Sequence, residues 1–276
     1  MWVFRQSSKA LLVALWAAGP AVADAPQRVV SMNLCTDQLA MLLAAPGQLV
    51  SVSHLASDPL SSSMVAEASA YPANRGSAEQ VFLMHPDLVL AGTYTAQASV
   101  DLLRHLGIRV QQVPPVTSLD DVTDQIRQIG AWLGRETQAE AMARAFEEEL
   151  ARLPAPRRAA RAAMYYANGY TSGAGTLSDE VLTIAGFANI AAEVGLSGGG
   201  TLPLERLVLA APEMIVTSTP YPGASRAEEI FAHPALTALR AKAGRAQVSD
   251  ADWVCGTPFV MRAIRAMVQA RQGLGE

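Results

Sequence analysis

Short apolar runs alternate with helical patterns along most of the chain. Four runs rich in Val, Leu and Ile lie at residues 28–32, 48–53, 86–91 and 108–113, and each has the length and composition of a buried strand. Apolar residues at helical spacing occur between these runs. Strands that alternate with helices predict an α/β fold with mostly parallel sheets, whose ligand side is the carboxyl ends of the strands.

A longer helical pattern follows the fourth strand. Apolar residues recur near helical spacing through residues 118–153, and Ser118 with Asp121 resembles a capping box at its start. We predict one long helix here, in which Gly130 and Gly134 favour a bend or a break. A second series of strands and helices follows it.

One segment of the sequence occurs twice. Residues 79–90 (EQVFLMHPDLVL) return at residues 205–216 as ERLVLAAPEMIV, with the opening glutamate and the proline at the same places. Each copy predicts a short helix that ends before proline and then a strand. The spacing is longer than a solenoid period of 20–50 residues, so it indicates two similar lobes with a cleft between them. Glu79 and Glu205 are expected to face one common partner.

The N-terminal residues resemble an export signal. Arg5 and Lys9 precede an apolar run at residues 10–18, which is followed by small residues at 21–23. This pattern is typical of a secretory signal peptide, and a buried N-terminal helix is the alternative. We predict that residues 1–23 are removed after Ala23 and that the mature protein is periplasmic.

The remaining residues divide into three predicted parts: a first α/β lobe at 24–116, a joining helix at 117–153 and a second α/β lobe at 154–276. The full sequence has 25 acidic and 21 basic residues and a net charge of −4. This balance does not favour nucleic acid as a partner. We expect a monomer without a resident cofactor or protein-held metal ion.

Five segments carry a resemblance to a known family: RVVS at residues 28–31, the two copies of the repeat, Tyr170–Gly173, and Asp252-Trp253 before Pro258. In this order, and with the joining helix, the chain resembles the periplasmic substrate-binding proteins of ABC importers for cobalamin and ferric siderophores. The resemblance implies two α/β lobes joined by one long helix. It also implies a transport protein that delivers a metal complex to a permease dimer.

The same resemblance implies that Glu79 and Glu205 engage arginines on the permease. The alternative is that they are ordinary helix-start glutamates, which the positive end of the helix dipole alone would favour. The chain departs from the family in one respect. Cobalamin-binding members usually have a Trp shortly before the second docking glutamate, whereas residues 198–200 are all Gly here. A ferric siderophore or haem therefore remains an alternative to a corrinoid as the ligand.

Candidate ligand-binding residues are the polar and aromatic residues near the predicted strand ends. They are Asn33, Cys35, Asp37, His54, Arg75 and Tyr94 in the first lobe, and Tyr166, Tyr170 and Trp253 in the second. Aromatic faces suit a flat macrocycle or a catecholate, and Arg75 suits a carboxylate or phosphate. For each aromatic residue, packing inside a lobe is the alternative.

Cys35 and Cys255 are the only cysteines in the sequence. Export would place them where a disulfide persists. Three outcomes are open at this point: a disulfide between the lobes, two free buried thiols, or axial coordination of a bound metal complex. The separation of the two residues in the fold decides between them.

Two other functions fit the sequence less well. A carrier of a bare divalent metal needs three or four His and carboxylate ligands at strand ends, and only His54 is so placed. A hydrolase needs a nucleophile with a base, but Ser172 is not in a Gly-x-Ser-x-Gly context. The glycines at 198–200 resemble a phosphate loop only weakly, without the following Lys. We therefore predict that the chain is not an enzyme.

Overall fold

The computed structural model describes residues 25–155, 158–219 and 225–274. The predicted signal peptide and its cleavage site lie outside the described residues. Within the described part of the chain, no helix has the length and apolar character needed to cross a membrane.

The first lobe is a five-stranded parallel sheet with helices on its faces. Its elements in chain order are β1 (Val29–Ser31), α1 (Leu34–Leu43), β2 (Leu49–Ser53), α2 (Val65–Ala68), β3 (Ala73–Asn74), α3 (Ala78–Phe82), β4 (Leu88–Gly92), α4 (Gln97–His105) and β5 (Val110–Val113). The strand order is β3-β2-β1-β4-β5. The four predicted strands of this lobe are all present, and β3 is an additional two-residue edge strand.

Two helices, not one, follow the first lobe. The capping box predicted for Ser118 and Asp121 is present and begins α5 (Leu119–Leu133). Gly134 then adopts a left-handed conformation with φ 67°, which ends the helix, and α6 (Glu136–Ala151) packs back against α5. The helical segment and its predicted break at Gly134 are therefore confirmed, but the chain reverses there, so two packed helices replace the single long helix that was expected.

The second lobe repeats the parallel arrangement with four strands in the order β11-β10-β6-β8. Strands β7 and β9 form a separate antiparallel pair. The elements are β6 (Ala160–Met164), β7 (Tyr170–Ser172), α7 (Leu177–Ile184), β8 (Phe187–Asn189), α8 (Ile190–Glu193), β9 (Gly199–Thr201), α9 (Leu204–Ala210), β10 (Met214–Ser218), α10 (Pro234–Arg240), β11 (Gly244–Val248), α11 (Asp250–Trp253) and α12 (Val260–Gln272).

A continuous apolar core runs from one lobe to the other. It includes Leu88 of β4, Ile126 of α5, Phe146 of α6 and Met164 of β6, and each side chain is at most 2% exposed. The joining helices therefore belong to the core rather than to an independent linker. The predicted fold of two mostly parallel α/β lobes is confirmed, and the carboxyl ends of the central strands in both sheets point to a shared cleft.

Candidate functional site

The cleft consists of three adjoining cavities of about 720, 210 and 450 Å³. The first two share Tyr94 and residues 114–116 as walls, while Val116 and Val254 connect the second to the third. Because neighbouring cavities share walls, they form one open groove between the lobes. The two larger cavities have volumes typical of small-molecule sites.

The first-lobe wall comes from the ends of β1 and β4. Asn33 follows β1 and is the N-cap of α1, where its side-chain oxygen accepts hydrogen bonds from the backbone N–H groups of Cys35 and Thr36 at 3.0 and 3.4 Å. Beyond the end of β4, Tyr94 is 88% exposed. A large aromatic side chain that makes so little contact within the protein is available for a ligand.

The floor of the cleft is the segment after β5. Pro114, Pro115 and Val116 lie there, and the Gln125 amide donates to the Pro114 carbonyl at 3.0 Å. Val116 packs so closely on Gly256 of the second lobe that a Cβ at position 256 would clash with its side chain. The two lobes are therefore in direct contact at the floor.

The second-lobe wall has four aromatic residues, Tyr166, Tyr170, Phe231 and Trp253, of which the two tyrosines and Trp253 form a cluster. The rings of Tyr166 and Tyr170 are 6.4 Å apart, and Trp253 meets Tyr166 edge-to-face, also at 6.4 Å. Burial raises the pKa of Tyr166, so its phenol is uncharged at neutral pH. Tyr170 is 49% exposed, whereas Trp253 is only 6% exposed. Tyr170 is thus the aromatic face offered to a ligand, and Trp253 supports it through Tyr166.

The glycines before Glu205 have a steric role here. Gly199 in β9 pairs with Ser172 in β7, and the Tyr170 hydroxyl group lies where a Cβ of residue 199 would be. A side chain at that position would displace the Tyr170 ring. The Gly-rich strand therefore leaves room for Tyr170 at the cleft.

Acidic groups line both sides of the cleft. Asp121 and Asp124 border the first-lobe side, and Glu228 and Asp250 border the second. The backbone N–H of Thr117 donates to Asp121 and lowers its pKa, while burial raises the pKa of Asp250. Among the described residues that line the three cavities there is no Arg, Lys or His. The described walls therefore carry only negative charge.

The structure brings six of the nine candidate ligand residues to the cleft: Asn33, Cys35, Tyr94, Tyr166, Tyr170 and Trp253. The other three do not line it. His54 is exposed in a short 3-10 turn, and Arg75 is exposed where its backbone N–H donates to Gln80. A polar residue near a strand end can face away from the cleft, which the sequence pattern does not distinguish.

Asp37 is the third candidate outside the cleft. Its carboxylate is fully buried and accepts hydrogen bonds from the Ser53 backbone N–H at 3.0 Å and the Ser53 hydroxyl at 2.5 Å. Burial raises its pKa from 3.8 to about 6, although hydrogen bonds from Ser31 and Ser53 oppose this shift. Asp37 therefore ties α1 to the end of β2 inside the first lobe.

Cys35 and Cys255 form a disulfide, with their Cα atoms 5.1 Å apart. Cys35 lies in the first turn of α1 and Cys255 in the loop between α11 and α12, so the bond connects the two lobes beside the cleft. This outcome removes both alternatives left open by the sequence, because neither sulfur is a free thiol or an available metal ligand. Among the described residues, no group of three His, Cys, Asp or Glu side chains could hold a metal ion.

Several cleft residues were not predicted from the sequence. Residues 114–116 and the polar residues Asp121, Asp124, Gln125 and Gln128 on the first turns of α5 line the groove. The capping box at Ser118 was the available signal, because it places the start of α5 directly after β5 and hence at the carboxyl edge of the sheet. Glu228 and Asp250 had no comparable signal.

The predicted docking glutamates lie outside the lining of the cleft. Glu79 is in the first turn of α3 and Glu205 in the first turn of α9, and both are exposed. Both a permease contact and an ordinary helix-start glutamate require an exposed position in the first turn of a helix. The role of these glutamates as permease contacts therefore stays a prediction.

A family of proteins described as periplasmic binding proteins matches residues 29–246 of the chain. The chain belongs to this family. Its members are binding proteins for transport and not enzymes, which confirms both the resemblance seen in the sequence and the prediction that the chain has no catalytic function.

Curated relatives of this periplasmic binding protein are named for the binding of cobalamin or vitamin B12. A cobalamin-binding protein of Halobacterium salinarum is 30% identical over 198 residues, which cover 70% of this chain and 54% of the relative. The chain thus spans about half the length of that protein. A vitamin B12-binding protein of Salmonella choleraesuis is 27% identical over 248 residues, which cover 88% of this chain and 83% of the relative.

A solved structure with the same fold is the apo form of the periplasmic heme-binding protein RhuT from Roseiflexus sp. RS-1. It has a TM-score of 0.71 and 21% identity, and the match covers 88% of this chain and 98% of that one. At this identity the match shows the two-lobed fold alone. The ligand must therefore be argued from the residues of this cleft.

Proposed function

We propose that the chain is the periplasmic substrate-binding component of an ABC importer and that it captures an uncharged or cationic metal complex of the corrinoid type. It then delivers the complex to a permease dimer. Residues 1–23 are the export signal in this proposal, and Glu79 and Glu205 contact the permease.

The charge of the cleft is the observation that carries the choice of ligand. Asp121, Asp124, Glu228 and Asp250 border it, and no described lining residue is cationic. Haem carries two propionates and a ferric tris-catecholate is strongly anionic, so both would face like charges without a compensating cation. A corrinoid has uncharged amide side chains around its ring, which pair with carboxylates, amides and hydroxyl groups.

The aromatic wall supports the same choice. The exposed rings of Tyr170 and Tyr94 lie on opposite sides of the groove, where they suit the two faces of a flat macrocycle. The names of the curated relatives agree with a corrinoid. The absence of a Trp before Glu205 is offset by Tyr170, whose ring occupies the space above Gly199.

Fluorescence titration tests this proposal. We expect saturable quenching of the protein's Trp fluorescence by cyanocobalamin, and much weaker binding of haemin and a ferric tris-catecholate. Tyr170→Ala should weaken cyanocobalamin binding by about 1–3 kcal/mol if the ring is a desolvated contact, whereas Tyr170→Phe keeps the ring and should bind normally. Tyr170 is a better test position than Trp253, because replacing the buried Trp253 would also disturb the core.

A charge variant provides the matched comparison between ligands. Asp124→Asn/Glu228→Gln removes two carboxylates from opposite sides of the cleft and should improve haemin binding relative to cyanocobalamin. Tight binding of haemin by the wild-type protein, together with no binding of cyanocobalamin, would show that the proposed ligand class is wrong.

A further inference from the structure

The two copies of the sequence repeat have the same local structure. Glu79 is the second residue of α3 and Glu205 the second residue of α9, and each short helix leads into an interior strand of its sheet, β4 or β10. Each copy then reaches a buried proline, Pro86 or Pro212. We call residues 79–86 and 205–212 the docking turns.

Each docking turn exposes a leucine. Leu83 is 72% and Leu209 is 85% exposed, and they are the two most exposed large aliphatic side chains in the described part of the chain. Each follows its glutamate by four residues, so glutamate and leucine share one helix face. One exposed leucine is ordinary on a protein surface. The same exposure at the same position of both copies is not explained by folding, which favours burial of leucine.

The backbone of the docking turns is also strained at equivalent places. His85 has φ 50° and Ala211 has φ 45°, and both precede the buried proline. Side chains with a Cβ disfavour this left-handed conformation, and helix ends usually place glycine in it. Neither copy has that glycine, yet both keep the turn. The glutamate–leucine face is therefore presented in the same way on each lobe.

We propose that Leu83 and Leu209, beside Glu79 and Glu205, are two equivalent apolar contacts for a homodimeric membrane permease. Each permease subunit would present a basic side chain next to an apolar recess. This inference rests on the proposed role in an ABC importer and adds the leucines to the docking surface.

The repeat and the negative charge of its glutamates favour a permease over a second copy of this chain or an anionic lipid surface. Two equivalent turns on one chain match a partner with two-fold symmetry, because each turn can meet the same surface on one subunit. A second copy of this acidic chain offers poor charge complementarity to the glutamates,. An anionic lipid surface would repel them.

Site-specific photo-crosslinking tests the symmetry directly. A benzophenone amino acid replaces Leu83 in one full-length variant and Leu209 in another, and each is irradiated with membranes of the native cell. We expect both positions to crosslink to the same peptide of one membrane polypeptide. Crosslinks to two unrelated polypeptides, to a second copy of this chain, to lipid alone, or no crosslinks at all would overturn the proposal.

Affinity for the polypeptide identified in this way gives the second readout. Leu83→Ser and Leu209→Ser should each weaken complex formation about tenfold, as expected for a desolvated apolar contact, and Leu106→Ser is the control because Leu106 is an exposed leucine outside the repeat. Unchanged affinity of the double leucine variant would contradict the proposal.

Cyanocobalamin titration of the same variants separates this proposal from the choice of ligand. Normal cyanocobalamin binding with lost complex formation supports the docking surface. Symmetric crosslinks without cyanocobalamin binding would contradict only the ligand.

Discussion

At the scale of single residues, Asp37 is the one fully buried carboxylate among the three candidates that do not line the cleft. Its pKa in the folded protein, about 6, lies above its usual value of 3.8 because the carboxyl group is buried. A group whose pKa is raised by folding binds more protons in the folded than in the unfolded state between these two pH values. Its contribution to stability is therefore fully present below about pH 4 and is lost as pH rises through about 6.

Asp37→Asn should consequently flatten the pH dependence of stability between pH 4 and 6. Near neutral pH the wild-type protein bears the cost of a buried ionised carboxylate, on the order of 3 kcal/mol for a shift of this size. The Asn amide can still accept from the Ser53 N–H and donate to its hydroxyl group. Urea unfolding at several pH values measures the effect.

Asp58→Asn is the matched control. Hydrogen bonds from the Ser61 hydroxyl and the Leu60 backbone N–H lower the pKa of the half-buried Asp58, so its stabilisation is present above its unfolded pKa and lost at lower pH. Asp58→Asn should therefore destabilise the protein at neutral pH, opposite to Asp37→Asn. If both variants lose stability equally at pH 7, the assigned cost of burying Asp37 is wrong.

The sequence predicted residues at the cleft where they follow β1 or β4, the neighbouring strands whose ends form the first-lobe wall. Asn33 after β1 and Tyr94 after β4 are such residues. It failed for His54 and Arg75, which follow β2 and the edge strand β3 on the side of β1 opposite to β4. The pattern gives the end of a strand, but the direction of a side chain depends on packing of the whole lobe.

At the scale of elements, the joining segment shows what helical spacing can and cannot specify. Apolar periodicity identified helical residues, but the same spacing is compatible with one long helix or with two packed helices. The left-handed Gly134 reverses the chain, and Gly130 then lies inside α5 against Ala139 of α6. Gly130 therefore serves close helix packing rather than the bend predicted for it.

Gly130→Ala distinguishes packing from helix propensity. In an isolated helix, replacing Gly with Ala should stabilise the helix by about 1 kcal/mol. Here the new methyl group would overlap the Cβ of Ala139, and overpacking of this kind typically costs about 1–3 kcal/mol. We therefore expect net destabilisation in urea unfolding.

The reciprocal change provides the control for this contact. Ala139→Gly removes the opposing methyl group, so the double variant Gly130→Ala/Ala139→Gly should recover part of the lost stability, as a double-mutant cycle would detect. Additive destabilisation by the two changes, or stabilisation by Gly130→Ala alone, would contradict the proposed close contact of α5 and α6.

At the scale of the whole molecule, the two-lobed fold was predictable because the main first-lobe strands overlap the apolar runs at residues 28–32, 48–53, 86–91 and 108–113 and because one segment is repeated. The short strands β3, β8 and β9 were not, since two or three residues carry too little pattern,. The disulfide was one of three open outcomes, because pairing depends on a distance between residues 220 positions apart,.

The lobes are held together at separate points around the cleft. The chain crosses between them through α5 and α6, and the Cys35–Cys255 disulfide adds a second covalent connection. The Ser63 hydroxyl also donates to the Ala251 carbonyl at 2.8 Å. Two covalent connections oppose a hinge motion about either one, so we expect only small movements of the lobes when ligand binds.

Removal of the disulfide tests this expectation. Cys35→Ser/Cys255→Ser should lower the free energy of unfolding by roughly 2–5 kcal/mol, because the bond closes a long loop of the unfolded chain. In small-angle scattering, the wild-type protein should keep one radius of gyration with and without cyanocobalamin. The variant should be larger without ligand and contract when it binds.

A reducing agent supplies the internal control for this last experiment. Dithiothreitol should make the wild-type protein behave like the double serine variant in unfolding and scattering, and it should leave the variant itself unchanged. If reduced and oxidised wild-type protein scatter identically without ligand, the joining helices and the apolar core hold the lobes by themselves. Movement of the lobes would then be limited by the contact of Val116 with Gly256 and by the core between α5 and the two sheets, not by the disulfide bond.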